Sequence, residues 1–148
     1  MEKTRVHAYF MQLVQDRIDA FSDRIEELAL DAANDVKSSA GDKHETGRSM
    51  LQLEQEKLGA KIAEYQGQLA CLKQINPNEG HAVIGVGSLV QLPSFWVYLG
   101  GALPKIEMGK QSIFGVSLQA PVAQQLLGKK QGDSIELNGK QQAILVVS

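Results

Sequence analysis

Two carboxylates stand nearest to chemistry in this chain. Asp42 and Glu45 are three positions apart, so a helix starting near Asp42 would project both from one side of its first turn. Such a pair suits Mg2+, which takes one or two carboxylates beside water and phosphate oxygens. A metal held this way can activate water for phosphodiester hydrolysis. The same spacing is also an ordinary helix start, in which an N-cap aspartate and a glutamate three residues on satisfy free N–H groups and complement the helix dipole. Spacing alone admits both readings.

The remaining reactive residues do not converge. His7, His44 and His81 lie far apart in three different settings, and no HExxH is present, so a metal site made by this chain alone is not expected. The single cysteine, Cys71, excludes a disulfide framework and a cysteine-based zinc site and fits a reducing compartment. Its position beside an apolar seam reads as a small buried hydrophobe. Gly85-Val86-Gly87 lacks the third glycine and the following helix of a dinucleotide fingerprint. Ser94 and Ser117 lack a GxSxG context. No self-contained active site is expected.

The elements that must carry these residues are written in the composition. The chain has 148 residues, 43% hydrophobic, 22% charged and only 5% aromatic, with net charge −2. That argues for a folded chain without one thick core, and against a general binder of nucleic-acid phosphates. No signal peptide is recognised at the N-terminus, and no run of about 18 apolar residues could span a bilayer. A cytoplasmic protein without a membrane partner is expected.

Residues 1–76 contain no proline and 4 of the 14 glycines, whereas residues 77–148 hold the other 10 and all 4 prolines. The first part carries 10 Lys and Arg against 13 Asp and Glu, the second 5 against 4. A helical part followed by a turn-rich β part is the direct reading. Val14, Ile18, Phe21, Ile25, Leu28 and Ala32 recur at alternating steps of four and three, and Leu51, Leu58, Ile62, Tyr65, Leu69 and Leu72 continue the pattern. This is a coiled-coil seam. The small and polar residues of 38–47 suit a stop, a turn and a restart. An antiparallel helical hairpin of roughly 30 residues per arm follows, about 45 Å long at 1.5 Å per residue, with the tip loop 38–47 at its far end. Pairing between two chains into a four-helix bundle would bury the same stripe.

Asn76-Pro77-Asn78-Glu79-Gly80 marks the boundary to a second domain, 77–148. Strands are expected in Ala82–Leu92, Phe95–Leu99, Ile106–Met108 and Ile113–Val116. Pro121–Gly128 places proline and glycine where a two-turn helix begins and ends. Asn138-Gly139 joins Ser134–Leu137 to Lys140–Val147 as a hairpin. The expected class is α+β, a helical hairpin followed by a small antiparallel sheet with one short helix. Carboxylates at the tip of so long a finger can be delivered into a deep channel of another macromolecule, where they complete a metal site the partner already half holds.

These residues resemble the Gre transcript-cleavage factors of bacterial RNA polymerase. Val116–Asp133 (VSLQAPVAQQLLGKKQGD) is similar to that family's C-terminal strand, proline-started short helix ending in LLGK, and GD turn. Gly41-Asp42-Lys43-His44-Glu45 is similar to its GDxxE tip. The resemblance implies a coiled-coil finger entering the secondary channel of RNA polymerase core, and an FKBP-like domain docking at the channel rim without isomerase activity. It further implies that Asp42 and Glu45 act as the catalytic, metal-holding pair on a Mg2+ supplied and mostly held by the polymerase, during cleavage of backtracked RNA. Nascent RNA would be touched only within that complex, and the factor would act as a monomer. Lys43, His44 and Arg48 are the candidate tip contacts; the cations Lys37, Lys43 and Arg48 either reach RNA phosphate or are solvated.

Where the family continues NAEY after the tip glutamate, this chain has Thr46-Gly47-Arg48-Ser49. A second reading therefore stands beside the first, a finger that enters the channel and modulates or inhibits polymerase without cutting RNA. A third is a coiled-coil interaction module unrelated to transcription.

Overall fold

The computed structural model describes the backbone of residues 1–38 and 43–148 and the side chains of residues 1–34 and 49–148. Two long helices come first, α1 (Lys3–Ser38) and α2 (Lys43–Gln74). Seven short strands and a helix follow: β1 (Leu89–Gln91), β2 (Trp96–Tyr98), β3 (Leu103–Met108), β4 (Gln111–Gly115), α3 (Pro121–Leu126), β5 (Ser134–Leu137), β6 (Lys140–Ala143) and β7 (Val146–Val147). The class is α+β, as the composition break requires. Residues 43–47, expected within the tip loop, are already helical. The helix is described from Lys43, and Gly47 stands inside it at a cost of about 1 kcal/mol relative to alanine.

By packing, the described chain divides into two compact units, Leu13–Gly67 and Met1–Gln12 together with Gln68–Ser148. The change from helix to strand after Gln74 and the change of packing unit are thus different boundaries. The outer turns of both helices belong to the β unit, because their apolar residues pack there.

The β unit is built on a five-stranded sheet in the order β3-β4-β2-β1-β7 and a two-stranded sheet of β5 and β6. The main sheet is mixed rather than wholly antiparallel. β2 and β4 run parallel, with Trp96 opposite Ile113 and Val97 opposite Phe114, while β1–β2, β1–β7 and β3–β4 are antiparallel. The parallel pair arises because β3 takes the outer edge, and β4 returns from it to lie beside β2. The expected strand Ala82–Leu92 is cut to β1, since Gly87 has φ +84° and its Ser88 neighbour turns back through a hydroxyl accepting from the Gly85 N–H at 2.9 Å. The stretch Lys140–Val147 divides between the two sheets. Ile144 N–H donates to Asp133 O at 2.8 Å and Leu145 N–H to Gln91 O at 2.9 Å, so the chain leaves β5 and joins β1 at that step.

Both faces of the main sheet are covered within the unit. On one, Val90, Leu92, Val97 and Leu99 pack with Ala123 and Leu126 of α3 and with Ile135 and Ile144. On the other, Tyr98 stacks on Phe10 of α1 with ring centroids 5.8 Å apart. Val6, Phe10, Leu72 and Tyr98 are all fully buried; each such side chain removed from water stabilises by about 1.5–3 kcal/mol. Trp96, Tyr98 and Leu99 are therefore core residues, as their sequence context suggests. The Asn138-Gly139 turn has φ of 52° and 78°, the two positive values a type I′ hairpin needs.

Candidate functional site

The unit Leu13–Gly67 is the hairpin that carries the carboxylate pair. The seam runs where the spacing put it. Val14, Ile18 and Leu28 are buried, and Phe21, Ile25, Leu51, Leu58, Ile62 and Tyr65 are half-buried, as expected when two helices alone share one narrow stripe. Cross-links fix the antiparallel register. Phe21 stacks on Tyr65 at 5.8 Å, Arg17 Nη1 donates to the Tyr65 hydroxyl at 3.1 Å, and the Arg17 guanidinium lies 5.9 Å from the ring centre. Nearer the junction of the helices, Arg24 bridges Glu27 at 3.1 Å and Glu54 across the hairpin at 3.5 Å. These ion pairs are exposed and screened by water, so they add little to stability. They set alignment more than stability. The outer face of α1 is acidic, with Asp16, Asp19, Asp23, Glu26, Glu27 and Asp31 all exposed.

Asp42 lies outside the described residues. Lys43, His44, Glu45 and Arg48 fall within α2, and their side chains lie outside the described ones. Glu45 is the third residue of that helix, and Asp42 immediately precedes its first residue. Among the described residues no group of three or more His, Cys, Asp or Glu is placed to hold a metal, and no helix is long and apolar enough to cross a membrane.

In the β unit, the structure assembles a polar cluster that sequence reasoning left as isolated residues. His7 Nδ1 and the Tyr98 hydroxyl share a hydrogen bond at 2.7 Å, with the rings edge-to-face at 6.0 Å. One helical turn earlier, Lys3 Nζ donates to the Glu79 carbonyl oxygen at 2.6 Å. Burial, with the Lys3 ammonium as a second cause, holds His7 below its ordinary 6.5. Burial likewise lowers Lys3, against the attraction of Glu79, and pushes the Tyr98 phenol up. Lys3 and His7 are four apart, in step with Val6, Phe10 and Val14; a lysine and a histidine on the apolar stripe of a helix were the available signal.

Cys71 is a correction. It is exposed, because it neighbours Leu72 on the helix circumference, and Leu72 takes the buried position. Cys71 borders a mostly apolar cleft of about 370 Å3 with Ile75, Leu99 and Leu118. A second cleft, about 360 Å3, lies between the start of α1 and the β3–β4 turn.

No family model matches the sequence, and no curated protein matches it. Among solved structures, the chain is similar to the transcription factor Gfh1, at 18% sequence identity over 93% of this chain and 92% of that one, with a TM-score of 0.38.

Proposed function

We propose that this protein is a transcription elongation factor of the Gre type, which enters the secondary channel of bacterial RNA polymerase with its helical hairpin and stimulates cleavage of backtracked RNA. The observation that carries the reading is the pair Asp42 and Glu45 at the junction of two long antiparallel helices, with Glu45 in the first turn of α2. The similarity of Val116–Asp133 to the family's C-terminal stretch supports it independently, as does the order of a helical hairpin before a small sheet domain with one short helix.

The chemistry follows from the donor set. Two carboxylates suit Mg2+ but leave most of its coordination to water and phosphate oxygens, so the hairpin alone holds the ion weakly and the polymerase must supply the rest. When bound there, Mg2+ supplies an activated water for phosphodiester hydrolysis. The part played by this chain is positioning. Asp42 and Glu45, three positions apart in the sequence, would supply the carboxylates, and the hairpin seam keeps the two helices on either side of them in register. Lys43, His44 and Arg48 contact the RNA or the channel wall beside that pair.

A stalled, backtracked elongation complex with Mg2+ tests this directly. Addition of the protein is expected to accelerate release of 3′ RNA fragments, with Asp42→Ala losing the effect and still binding. Equal fragment release with and without the protein would sink the cleavage reading.

A second reading rests on Thr46-Gly47-Arg48, where Arg48 introduces a cation beside the acidic pair. On it, the protein occupies the channel without adding cleavage, and competes with an authentic cleavage factor in the same assay.

A further inference from the structure

The cleft between the first turn of α1 and the β3–β4 turn is unrelated to the hairpin tip, and its wall is specific. With a volume of about 360 Å3, it lies at the lower end of the ~300–1,000 Å3 typical of small-ligand sites. Met108 and the small exposed edge of Trp96, which is otherwise buried, give it an apolar part, and Arg5 and Gln111 give it polar groups. Trp96 Nε1–H donates to Gln111 Oε1 at 2.9 Å, which fixes the indole and uses the amide's acceptor. The Gln111 amide N–H2 group and the Arg5 guanidinium have no partner among the described residues. These two groups are both donors, beside the Glu2 carboxylate that also lines the cleft. One is permanently charged, and they border an indole and a thioether.

The geometry points to a binding site for an apolar carboxylate, its acid group held by Arg5 and Gln111 and its hydrocarbon or ring laid against Met108 and the exposed edge of Trp96. A charge-assisted bond from a guanidinium to a carboxylate is the stronger kind and carries the selectivity. The apolar part adds affinity in proportion to the area it removes from water. A neutral amide of the same shape would keep the second contribution and lose the first. Glu2 also borders the cleft; its carboxylate opposes an incoming anion and limits affinity. The same chemistry is presented by a free small acid and by the C-terminal carboxylate of an apolar peptide.

Trp96 is the only tryptophan in the sequence, so its emission reports this cleft without interference. Intact protein is titrated with 3-phenylpropionate and with 3-phenylpropanamide, then with N-acetyl-alanyl-phenylalanine as free acid and as C-terminal amide. A saturable change in Trp96 emission is expected with at least one acid and not with its amide. Tighter binding of the free small acid indicates a metabolite, and tighter binding of the dipeptide acid a chain end. Arg5→Gln should weaken the acid about tenfold, the equivalent of one charge-assisted bond, and Glu2→Gln should strengthen it. Both side chains are exposed, and an unchanged melting temperature checks that each variant is folded. The proposal is overturned by no saturable response to either acid, by equal binding of acid and amide, or by Arg5→Gln binding the acid as well as the parent protein.

Discussion

His7 makes the pH response of the β unit traceable to one side chain. Tyr98 on β2 shares a hydrogen bond with it, and Lys3, one turn away on α1, is held by the Glu79 carbonyl. Burial and Lys3 hold the folded pKa below the unfolded 6.5, so the unfolded chain binds the proton more readily. The stabilising contribution is therefore complete above pH 6.5 and is lost as pH falls from 6.5 through the lower folded value. Urea unfolding followed by Trp96 emission at pH 7 and pH 5 should show a drop in stability on acidification that is smaller in His7→Gln. An equal drop in both would place the acid sensitivity elsewhere. Gly115 is the other exacting position, because a Cβ added there would meet the Cβ of Leu103 on the neighbouring strand. Gly115→Ala should cost about 1–3 kcal/mol as an overpacked site, read as a lower urea midpoint with unchanged slope.

Among the elements, α3 begins without a side-chain cap. Ala120 has φ −63° and ψ 144° and offers no hydroxyl to the free N–H groups of the first turn, while Pro121 fills the first helical position. Ala120→Ser should therefore raise stability by about 0.5–1 kcal/mol, measurable as a higher melting temperature. In the hairpin, Leu28 is 2% exposed, and Leu28→Ala should cost about 2–5 kcal/mol. Because the loss falls in a different packing unit from Trp96, far-UV helicity should melt earlier while the Trp96 transition stays in place. A shift of both together would show the units to be one cooperative block.

Legibility differs among these elements for physical reasons. The seam from Val14 to Leu28, the short helix at Pro121 and the Asn138-Gly139 turn are local, each written within a few residues, and they were readable. The parallel pairing of β2 with β4 is not local. It depends on which edge β3 takes, and no residue in either strand encodes that by itself. Ala82–Leu92 reads as one apolar run, but Gly87 at positive φ confines the strand to its last residues. Cys71 and Leu72 differ by one helical step, and only the packed partner decides which is buried. Arg5, Trp96 and Gln111 are invisible as a group in the sequence, because the β3–β4 turn brings them together over more than 90 positions. The acidic pair stands in the sequence as a motif, Gly41-Asp42-Lys43-His44-Glu45, whereas Lys3 and His7 needed Tyr98 to acquire meaning.

At the scale of the whole molecule, the hairpin reading and the coiled-coil dimer reading separate on stoichiometry. Phe21, Ile25, Leu58 and Ile62 are half-buried within one chain, and pairing of two hairpins would bury them further, whereas a finger that enters a channel acts as a single copy. Light scattering in solution should give the mass of one chain, and a single chain should bind polymerase core. A two-chain mass that persists on dilution would favour pairing of seams between copies and displace the channel reading.

The β unit is discontinuous in sequence: residues 1–12 belong with residues 68–148, and residues 13–67 intervene as a unit of their own. Bringing Phe10 to Tyr98 across an unstructured intervening stretch costs closure entropy that grows as ~(3/2)RT ln n, whereas zipping the two helices from their junction closes that distance through many short, local steps. On this ground the hairpin is expected to act as a splint during folding, closing before the separated parts of the sheet unit dock. Its length can accordingly change by matched turns on both arms with little effect on the equilibrium stability of the β unit, while mismatched changes would delay folding.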